Sequence, residues 1–569
     1  MADIKNMTHT QFVAFVKMLF ATLVWEDKSF LKVAIVYGIA ISMLTLSVPV
    51  SVQMLINTVA NVGLQNAVIW LTVTLFVLLF ISGTLTALQM LVLERFERRV
   101  YARIAADFTL RNIYAKRDYY KNINRYELVN RYFDIVQVQK ILPGMVVGLF
   151  ATLLQMLVGM VLVSFFHPWL LMFTIVFVST LYIIWRVFGW RAMRTAMKMS
   201  AAKYLTGRHL EDIAHSNDYY KSGQHSDYAI QKSEKLIRNY ITIRITHFRN
   251  VFSQHIGFLL LYACSNAGLL GLGGSLVISD QLSLGQLVAA ELVLSAVFYG
   301  ISRLGYYLSQ LYDLTAALEE IYQLYDVPQE QVQQGLYLPV TAVDILCNDA
   351  LFLDNTEPVI LNFAVNGGDK ILVNSVHYEA QVQLFDALKS YDMPSDGRIL
   401  IAGESIVDYH THHLRDRIII LDRPTIIECS IREYLKMDAP HATTVQIDAA
   451  LELVELGNVI AALPDKKDTQ MLAHGGPLTT AQTLRLKLAS AILAQPHVLI
   501  LNECFDMISY QRRVRIMERL CEKPDMTFLY CSNLRDMKCF DKYLILHRDQ
   551  QKYVSHEVYV NYDAEQKEL

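Results

Sequence analysis

Long apolar stretches without a charged side chain dominate the first 325 residues of this 569-residue chain. Residues 33–93, 141–185 and 250–279 contain no Asp, Glu, Lys or Arg. A helix that crosses a bilayer needs roughly 20 apolar residues, so each stretch can hold one or two spans. Polar breaks at 57–66, 166–168 and 280–283 then predict six spans, near 31–56, 67–93, 141–165, 168–185, 252–279 and 284–311. A hydrophobic content of 53% excludes an ordinary water-soluble enzyme.

The distribution of Lys and Arg predicts which ends of the spans face the cytoplasm. The three short connections contain neither residue, whereas 94–140 and 190–249 contain eleven each. Since basic loops stay inside, both long loops and both termini are predicted to be cytoplasmic in a multi-pass inner-membrane protein. Helical periodicity in the long loops predicts that the spans continue beyond the membrane. Lys17 and the charged residues 26–28 favour an amphipathic helix over residues 1–29, rather than a signal peptide.

The net charge of -3 hides two halves of opposite sign. Residues 1–325 carry 28 basic and 19 acidic side chains, a balance of +9, while residues 326–569 carry 23 and 35, a balance of -12. Six of the seven cysteines lie in the acidic half without a CxxC pair, which indicates a reduced, cytosolic domain. Alternating β-rich and helical stretches over 340–550 predict that this domain is α/β.

This plan resembles a type I ABC exporter half-transporter along the whole chain. Residues 127–131 with Asp134 are similar to the first coupling helix, and 211–221 to the second. Residues 283–297 and 311–328 are similar to the last span and linker of the type I secretion subgroup. The resemblance implies an N-terminal helix at 1–29, a six-helix α-helical membrane domain with coupling helices at 30–325, a linker at 326–340 and an ABC ATPase-type α/β domain at 341–569.

The segment that matches the family's phosphate loop has lost its functional residues. Such a loop has the sequence GxxxxGK[ST], and its backbone N–H groups bind the phosphates. Its lysine binds the β- and γ-phosphates, and its Ser or Thr hydroxyl binds Mg²⁺. Here Ser375 and Ala380 replace the glycines, Gln381 replaces the lysine and Val382 replaces the hydroxyl. Any left-handed backbone at Ser375 or Ala380 would cost roughly 1–2 kcal/mol per residue. Glu379 adds a negative charge where polyphosphate would lie.

The other nucleotide-binding motifs of the family have also lost most of their functional residues. Asn502 stands where the Mg²⁺-binding aspartate is expected, although Glu503 retains the position of the general base. Asp422 replaces the Q-loop glutamine and Asn533 replaces the switch histidine. The stretch that matches the signature LSGGQ consists of Leu478, Thr479, Thr480, Ala481 and Gln482. It keeps the leucine and the glutamine of the motif, but Thr and Ala residues replace the serine and both glycines.

These losses predict a non-hydrolysing structural, regulatory or conduit subunit of an export system, because phosphoryl transfer in P-loop enzymes depends on positioning, Lys and Mg²⁺. Binding of ATP and Mg²⁺ is expected to be lost or weak. Two alternatives stay open: an active exporter paired with an intact ABC chain, and a cytosolic domain that became a protein-docking module. The expected partners are a second copy or another ABC chain, membrane lipids and a periplasmic adaptor, without nucleic acid.

Three further features need weighing against ordinary structural roles. Glu291 lies within the sixth predicted span, where an ionisable residue is a candidate for the transport path or for contacts between subunits. Arg303 is close enough to the inner end of that span to reach the membrane surface. His410, His412 and His413 could form a metal cluster, but a polar helix-turn of the family lies here, so no metal site is predicted.

Overall fold

The chain divides into two compact units with a boundary after Gln329, inside the segment predicted as a linker. The computed structural model describes residues 28–45, 47–61, 65–122, 131–339, 342–353, 358–473, 475–534 and 537–561. The amphipathic helix expected over 1–29 therefore lies almost entirely outside the described residues. The same is true of positions 127–130 of the first coupling region.

The described part of the first unit is mainly helical. In chain order they are α1 Lys28–Thr45, α2 Ser47–Asn61, α3 Gln65–Ile113, α4 Arg117–Asn122, α5 Tyr132–Ser164, α6 Pro168–Ile184, α7 Trp190–His215, α8 Gly223–Ile278 and α9 Leu284–Tyr325. A π-helical turn, Trp185–Gly189, connects α6 to α7 without a break. A turn and one 3₁₀ turn, Tyr219–Lys221, connect α7 to α8 where the second coupling helix was predicted.

Within the described part of the chain, four helical segments are long and apolar enough to cross a membrane: Val68–Ile113, Tyr132–Ser164, Pro168–His215 and Gly223–Ile278. The other two predicted spans are also helical, in α1 with α2 and in α9, whose apolar part at Leu284–Val297 is shorter. The predicted turn before Pro168 is confirmed, and the His167 side chain caps α6 by accepting a hydrogen bond from the N–H of Trp169. Only 6% of the apolar window in Val68–Ile113 is buried within the chain, as expected of a surface facing lipid.

In their described residues, the long basic loops are mainly helical extensions of the spans, as predicted. The helix α3 has 49 residues and α8 has 56, which at 1.5 Å per residue is about 75 and 85 Å, more than twice the thickness of a hydrocarbon core. Each therefore has a polar part well outside the apolar window.

A buried cluster of charges connects α5, α7 and α9 beyond the predicted spans. Arg131 Nε lies 3.3 Å from Glu320 Oε2, and both side chains are less than a tenth exposed. Asp134 accepts hydrogen bonds from Lys203 Nζ at 3.2 Å and from the Tyr204 hydroxyl. The two described charged residues of the first coupling region, Arg131 and Asp134, thus hold three helices together.

The second unit is an α/β domain with two sheets. Its strands are β1 Ile345–Phe352, β2 Val359–Val365, β3 Lys370–Ser375, β4 Asp396–Ile401, β5 Glu404–Ser405, β6 Ile418–Leu421, β7 Val498–Leu501, β8 Thr527–Cys531, β9 Lys542–Leu546 and β10 Gln551–Val554. Its α-helices are α10 Tyr378–Leu388, α11 Thr411–Arg417, α12 Ile431–Asp438, α13 Thr444–Leu453, α14 Gly457–Ala461, α15 Thr480–Leu493, α16 Tyr510–Cys521 and α17 His556–Val560.

The larger sheet has the order β10-β9-β3-β8-β7-β6 and is parallel except for β10. The smaller sheet, β2-β1-β4-β5, is antiparallel. One buried core packs the larger sheet against α12, α13, α15 and α16, and a second packs its other face against α10 and the smaller sheet. The carboxyl ends of β3, β6, β7 and β8 consequently meet at one edge, where parallel α/β sheets place their ligands.

Candidate functional site

The segment predicted to match a phosphate loop is a two-residue connection between β3 and α10. The strand ends at Ser375, and α10 already begins at Tyr378, three residues before Gln381. The N–H of Val376 donates to the Leu546 carbonyl at 3.0 Å. Residues 375–382 all have negative φ angles, so the strain considered for a left-handed loop is not incurred. The helix therefore begins inside the segment that matches the phosphate loop.

Gln381 and Asn502, the positions of the expected lysine and aspartate, bind each other. The Gln381 amide Nε2 donates to Asn502 Oδ1 at 2.5 Å, and both residues are buried, at 2% and 6% exposed. The same oxygen accepts the N–H of Glu503 at 2.6 Å, while Asn502 Nδ2 donates to the Asp422 carbonyl at 3.3 Å. The two amides thus form a neutral, hydrogen-bonded pair. Ala380 is fully buried beside this pair in sequence, and Val382 is half-buried on α10.

The retained acid, Glu503, is engaged by the residue that replaces the switch histidine. Asn533 Nδ2 donates to Glu503 Oε2 at 2.6 Å. Nearby, Asp506 accepts hydrogen bonds from the Tyr530 hydroxyl, from Ser532 Oγ at 2.8 Å and from the N–H of Asn533 at 3.3 Å. Burial, reinforced by the Asp506 carboxylate, raises the pKa of Tyr530, which keeps its phenol protonated as a donor.

Asp506 and its donors were not identified from the sequence. The available signal was the spacing, because Asp506 follows Glu503 by one turn of the 3₁₀ helix Glu503–Met507.

Glu379 has a counter-ion that the sequence did not reveal. Arg548, which follows β9, places Nη2 3.4 Å from Glu379 Oε2. The added negative charge is therefore partly compensated, and its expected repulsion of polyphosphate is smaller than the sequence alone indicated. Replacement of the lysine remains the larger change.

The Q-loop position is tied to the loop that follows β6. Asp422 Oδ2 lies 3.3 Å from Arg423 Nε. Lys487 Nζ donates to the carbonyls of Arg423 at 2.7 Å and of Thr425 at 3.0 Å. Burial lowers the pKa of Lys487. This lysine stabilises the loop backbone instead of presenting a charge for a ligand.

The residues that match the signature motif form the start of α15. Thr479 is the N-cap, its Oγ1 accepts the N–H of Gln482, and Gln482 Oε1 accepts the N–H of Thr479 at 2.8 Å. This reciprocal capping box satisfies two backbone donors at a helix terminus. Leu478 is buried, while Thr480 is exposed and Ala481 is half-buried. The hydroxyl of Thr479 and the amide of Gln482 are therefore used within their own helix.

The residues at positions 381 and 502 lack the charges with which a P-loop site holds Mg-ATP. The phosphate-loop lysine and Mg²⁺-binding aspartate positions carry carboxamides that satisfy one another, and the connection before α10 has no room for a multi-residue cradle. Neither charge that would compensate a polyphosphate or hold a cation is present at these two positions. No step of phosphoryl transfer can be assigned to them.

The comparisons with known proteins agree with this architecture. No protein-family model matches the chain. The leukotoxin translocation ATP-binding proteins LktB of Mannheimia glucosida and Mannheimia haemolytica are each 22% identical over 493 residues, which is 84% of this chain and 69% of theirs. A solved bacterial Atm1-family ABC exporter with ATP bound superposes with a TM-score of 0.79 at 17% identity, over 93% of this chain and 95% of that one. The chain has the ABC exporter fold.

The exporter fold and the apolar helices support a multi-pass protein of the inner membrane. The cytoplasmic placement of both termini stays a prediction. Glu291 is half-buried on α9, and Arg303 is exposed further along the same helix. A role of Glu291 in the transport path also stays a prediction.

His410 and His413, two of the three histidines weighed as a metal cluster, have local structural contacts. His410 Nδ1 caps α11 by accepting the N–H of His413 at 3.4 Å, and His413 Nδ1 accepts the N–H of Leu338 at 3.3 Å. The Tyr337 ring stacks on His410 with centroids 5.6 Å apart. These contacts attach the segment before β1 to α11.

Proposed function

We propose that this exporter-like chain is a membrane subunit of an export system and does not hydrolyse ATP itself. The observation that carries the proposal is the direct hydrogen bond between Gln381 and Asn502. In a working P-loop enzyme, the corresponding side chains would face phosphate and Mg²⁺. Here they satisfy each other in a buried site, so nucleotide binding would have to break that pair and supply two missing charges.

The position of Glu503 is consistent with this proposal. A general base has to reach the proton that it removes. The Glu503 carboxylate instead accepts a hydrogen bond from Asn533. Without lysine and Mg²⁺ to neutralise charge on the phosphates, a base in this position would have little to act on.

The export role rests on the fold and on the relatives. The LktB proteins are named for leukotoxin translocation and ATP binding. We carry over from them the export class and not the ATP binding, because the phosphate-binding side chains differ here. The expected assembly is a dimer, with a second copy or with another ABC chain, and a periplasmic adaptor is a further expected partner.

ATP hydrolysis by the purified full-length chain tests this function. We expect the same background phosphate release from wild type and from Glu503→Gln in the presence of Mg-ATP. Turnover that disappears in Glu503→Gln would sink the proposal. If the chain co-purifies with a second ABC subunit and the complex hydrolyses ATP, the comparison should be made in that complex. Turnover there that is unaffected by Glu503→Gln assigns hydrolysis to the partner's residues.

A further inference from the structure

A cavity lies at the opposite end of the larger sheet from the candidate nucleotide site. Its volume is about 570 Å³, within the range of small-molecule pockets. Arg417, His497 and Met526 line it, and each immediately precedes a parallel strand: β6, β7 and β8. The cavity therefore opens at the amino ends of these strands, whereas Asn502 and Asn533 follow their carboxyl ends.

The backbone of the sheet holds the cavity wall in place. The N–H of His497 donates to the Arg417 carbonyl at 2.9 Å, and the N–H of Thr527 donates to the His497 carbonyl at 2.9 Å. These bonds fix the three strand starts relative to one another. A site on such a rigid frame loses little conformational entropy when a ligand binds.

Two cationic side chains, Arg417 and Lys523, line both this cavity and an adjoining one of about 560 Å³. Arg417 Nη1 donates to the carbonyls of Ala494 and Gln495, each at 3.4 Å, which leaves further guanidinium N–H groups for a ligand. Burial lowers the pKa of the Lys523 ammonium. Such a partly desolvated cation gains from an anionic partner.

One acidic side chain in each cavity offsets part of this charge. Asp525 lines the first and Asp438 lines the second, where its carboxylate accepts a hydrogen bond from Ser490 Oγ at 2.7 Å. The first cavity therefore has two cations and one carboxylate, in a domain that otherwise carries an excess of acidic groups.

A buried histidine provides a second, independent indication of a ligand. His497 is 8% exposed, and its Nδ1 has no hydrogen-bond partner within the described part of the chain. A buried polar nitrogen of this kind normally binds water or a ligand. Burial first, and then the nearby Arg417 and His413, lower the pKa of His497, which favours the neutral ring with a single N–H donor.

We propose that this cavity binds a small organic anion. Its phosphate or carboxylate group would be bound by Arg417 and Lys523, and its apolar body would pack on Leu338, Ile492 and Met526. Arg and Lys recognise such acidic groups through charge-assisted hydrogen bonds. The site is separate from the nucleotide-like edge and does not depend on whether that edge binds ATP.

Calorimetric titration of the detergent-purified full-length chain tests the proposal. Phenyl phosphate and benzoate are the anionic probes, and benzyl alcohol is the neutral one. We expect at least one anionic probe to bind saturably and benzyl alcohol to bind much more weakly. Which anion binds tighter decides between the phosphate and carboxylate classes. Arg417→Gln and Lys523→Gln should each weaken the preferred anion about tenfold or more, because hydrogen bonds to charged groups contribute strongly.

Three controls keep the result specific to this cavity. Arg519→Gln removes an exposed arginine that also donates to backbone carbonyls, those of Glu452 and Leu453, and should change affinity less than about twofold. Lys523→Arg retains the charge and should largely restore binding. Protection of the buried Cys347 thiol from labelling reports that each variant is folded. Absence of saturable binding by either anion, or equal binding by benzyl alcohol or by the Gln variants, overturns the proposal.

Discussion

The pairing of Gln381 with Asn502 predicts that each single change to the charged residue of the family's motif is destabilising and that combining the two changes recovers much of the loss. Gln381→Lys places an ammonium at a position that is 2% exposed and opposite a neutral amide. Asn502→Asp places a carboxylate at a position that is 6% exposed and next to Glu503. In the double variant, the ammonium and carboxylate would occupy the positions of the present hydrogen bond.

The size of the effect follows from the burial of the pair. An uncompensated buried charge costs about 3–5 kcal/mol, and 1 kcal/mol shifts the unfolding midpoint of a domain this large by about 2–4 °C. We therefore expect Gln381→Lys to lower the midpoint of the α/β unit by roughly 6–20 °C. The same cost applies to Asn502→Asp, so recovery of at least half of the summed losses in the double variant corresponds to a coupling free energy of about 3 kcal/mol or more.

Thiol labelling during heating reports this unit specifically. Cys347 and Cys531 are buried at 0% and 2% exposed and become reactive only when the α/β unit opens. Labelling of each thiol, followed by peptide mass spectrometry, gives a midpoint for every variant. Gln383→Lys is a matched control, because Gln383 is 7% exposed on the same helix, and Asn502→Asp should not rescue it.

Two results would refute the reasoning about this pair. The first is a Gln381→Lys midpoint within about 2 °C of wild type, which would mean a cost below about 1 kcal/mol and a site open to solvent. The second is a double variant whose loss of stability equals the sum of the losses of the two single variants, or an equal rescue of Gln383→Lys by Asn502→Asp. The first result would show that position 381 is not buried, and the second that residues 381 and 502 are not energetically coupled as a pair.

Two further predictions concern the helix cap and the buried charge cluster. Thr479→Ala removes the N-cap of α15 and should lower the free energy of unfolding by about 1 kcal/mol in the labelling assay. Thr480→Ala, at the exposed next position, should change it by less than about 0.5 kcal/mol. Equal losses in the two variants would contradict the capping role. Burial raises the pKa of Glu320 to about 7 despite the opposing charge of Arg131, so its stabilising contribution is present below about pH 4.5 and is lost as pH rises through 7. Glu320→Gln should therefore remove this loss of stability between pH 5 and pH 8, although losing the ion pair with Arg131 destabilises the variant at both pH values. Tryptophan fluorescence follows the unfolding of this unit, since all five tryptophans precede residue 191. Parallel pH profiles of the two proteins would contradict the prediction.

The apolar periodicity predicted most of the architecture because long helices and buried parallel strands have strong local patterns. The β-rich stretches expected over 340–550 correspond to β2, β3, β4, β6, β7, β8 and β9. The strand β1 was missed because its register shifts between Cys347 and Ala350, with Asp349 at a φ of 47°, which breaks the alternation of apolar and polar residues. The strand β10 was missed because Gln551–Val554 is short and largely polar.

The candidate site was predictable in its substitutions but not in its contacts. The loss of lysine and aspartate follows from the residue types at 381 and 502. Their mutual hydrogen bond joins residues 121 positions apart, so no local pattern could indicate it. The early start of α10 and the contact of Arg548 with Glu379 likewise depend on tertiary packing. The histidines at 410 and 413 were expected to be structural, and their hydrogen bonds to backbone N–H groups identify what they hold.

The measurement that tests the central claim most directly is the effect of Mg-ATP on the unfolding midpoint of the α/β unit. A ligand that binds only the folded state at 100 times its Kd would stabilise it by about 2.7 kcal/mol, or roughly 5–11 °C in a domain of this size. Because Gln381 and Asn502 satisfy each other and leave no charge for phosphate or Mg²⁺, we predict no change in the Cys531 labelling midpoint at millimolar Mg-ATP. A rise of several degrees that requires Mg²⁺ and is abolished by Gln381→Ala would contradict the account.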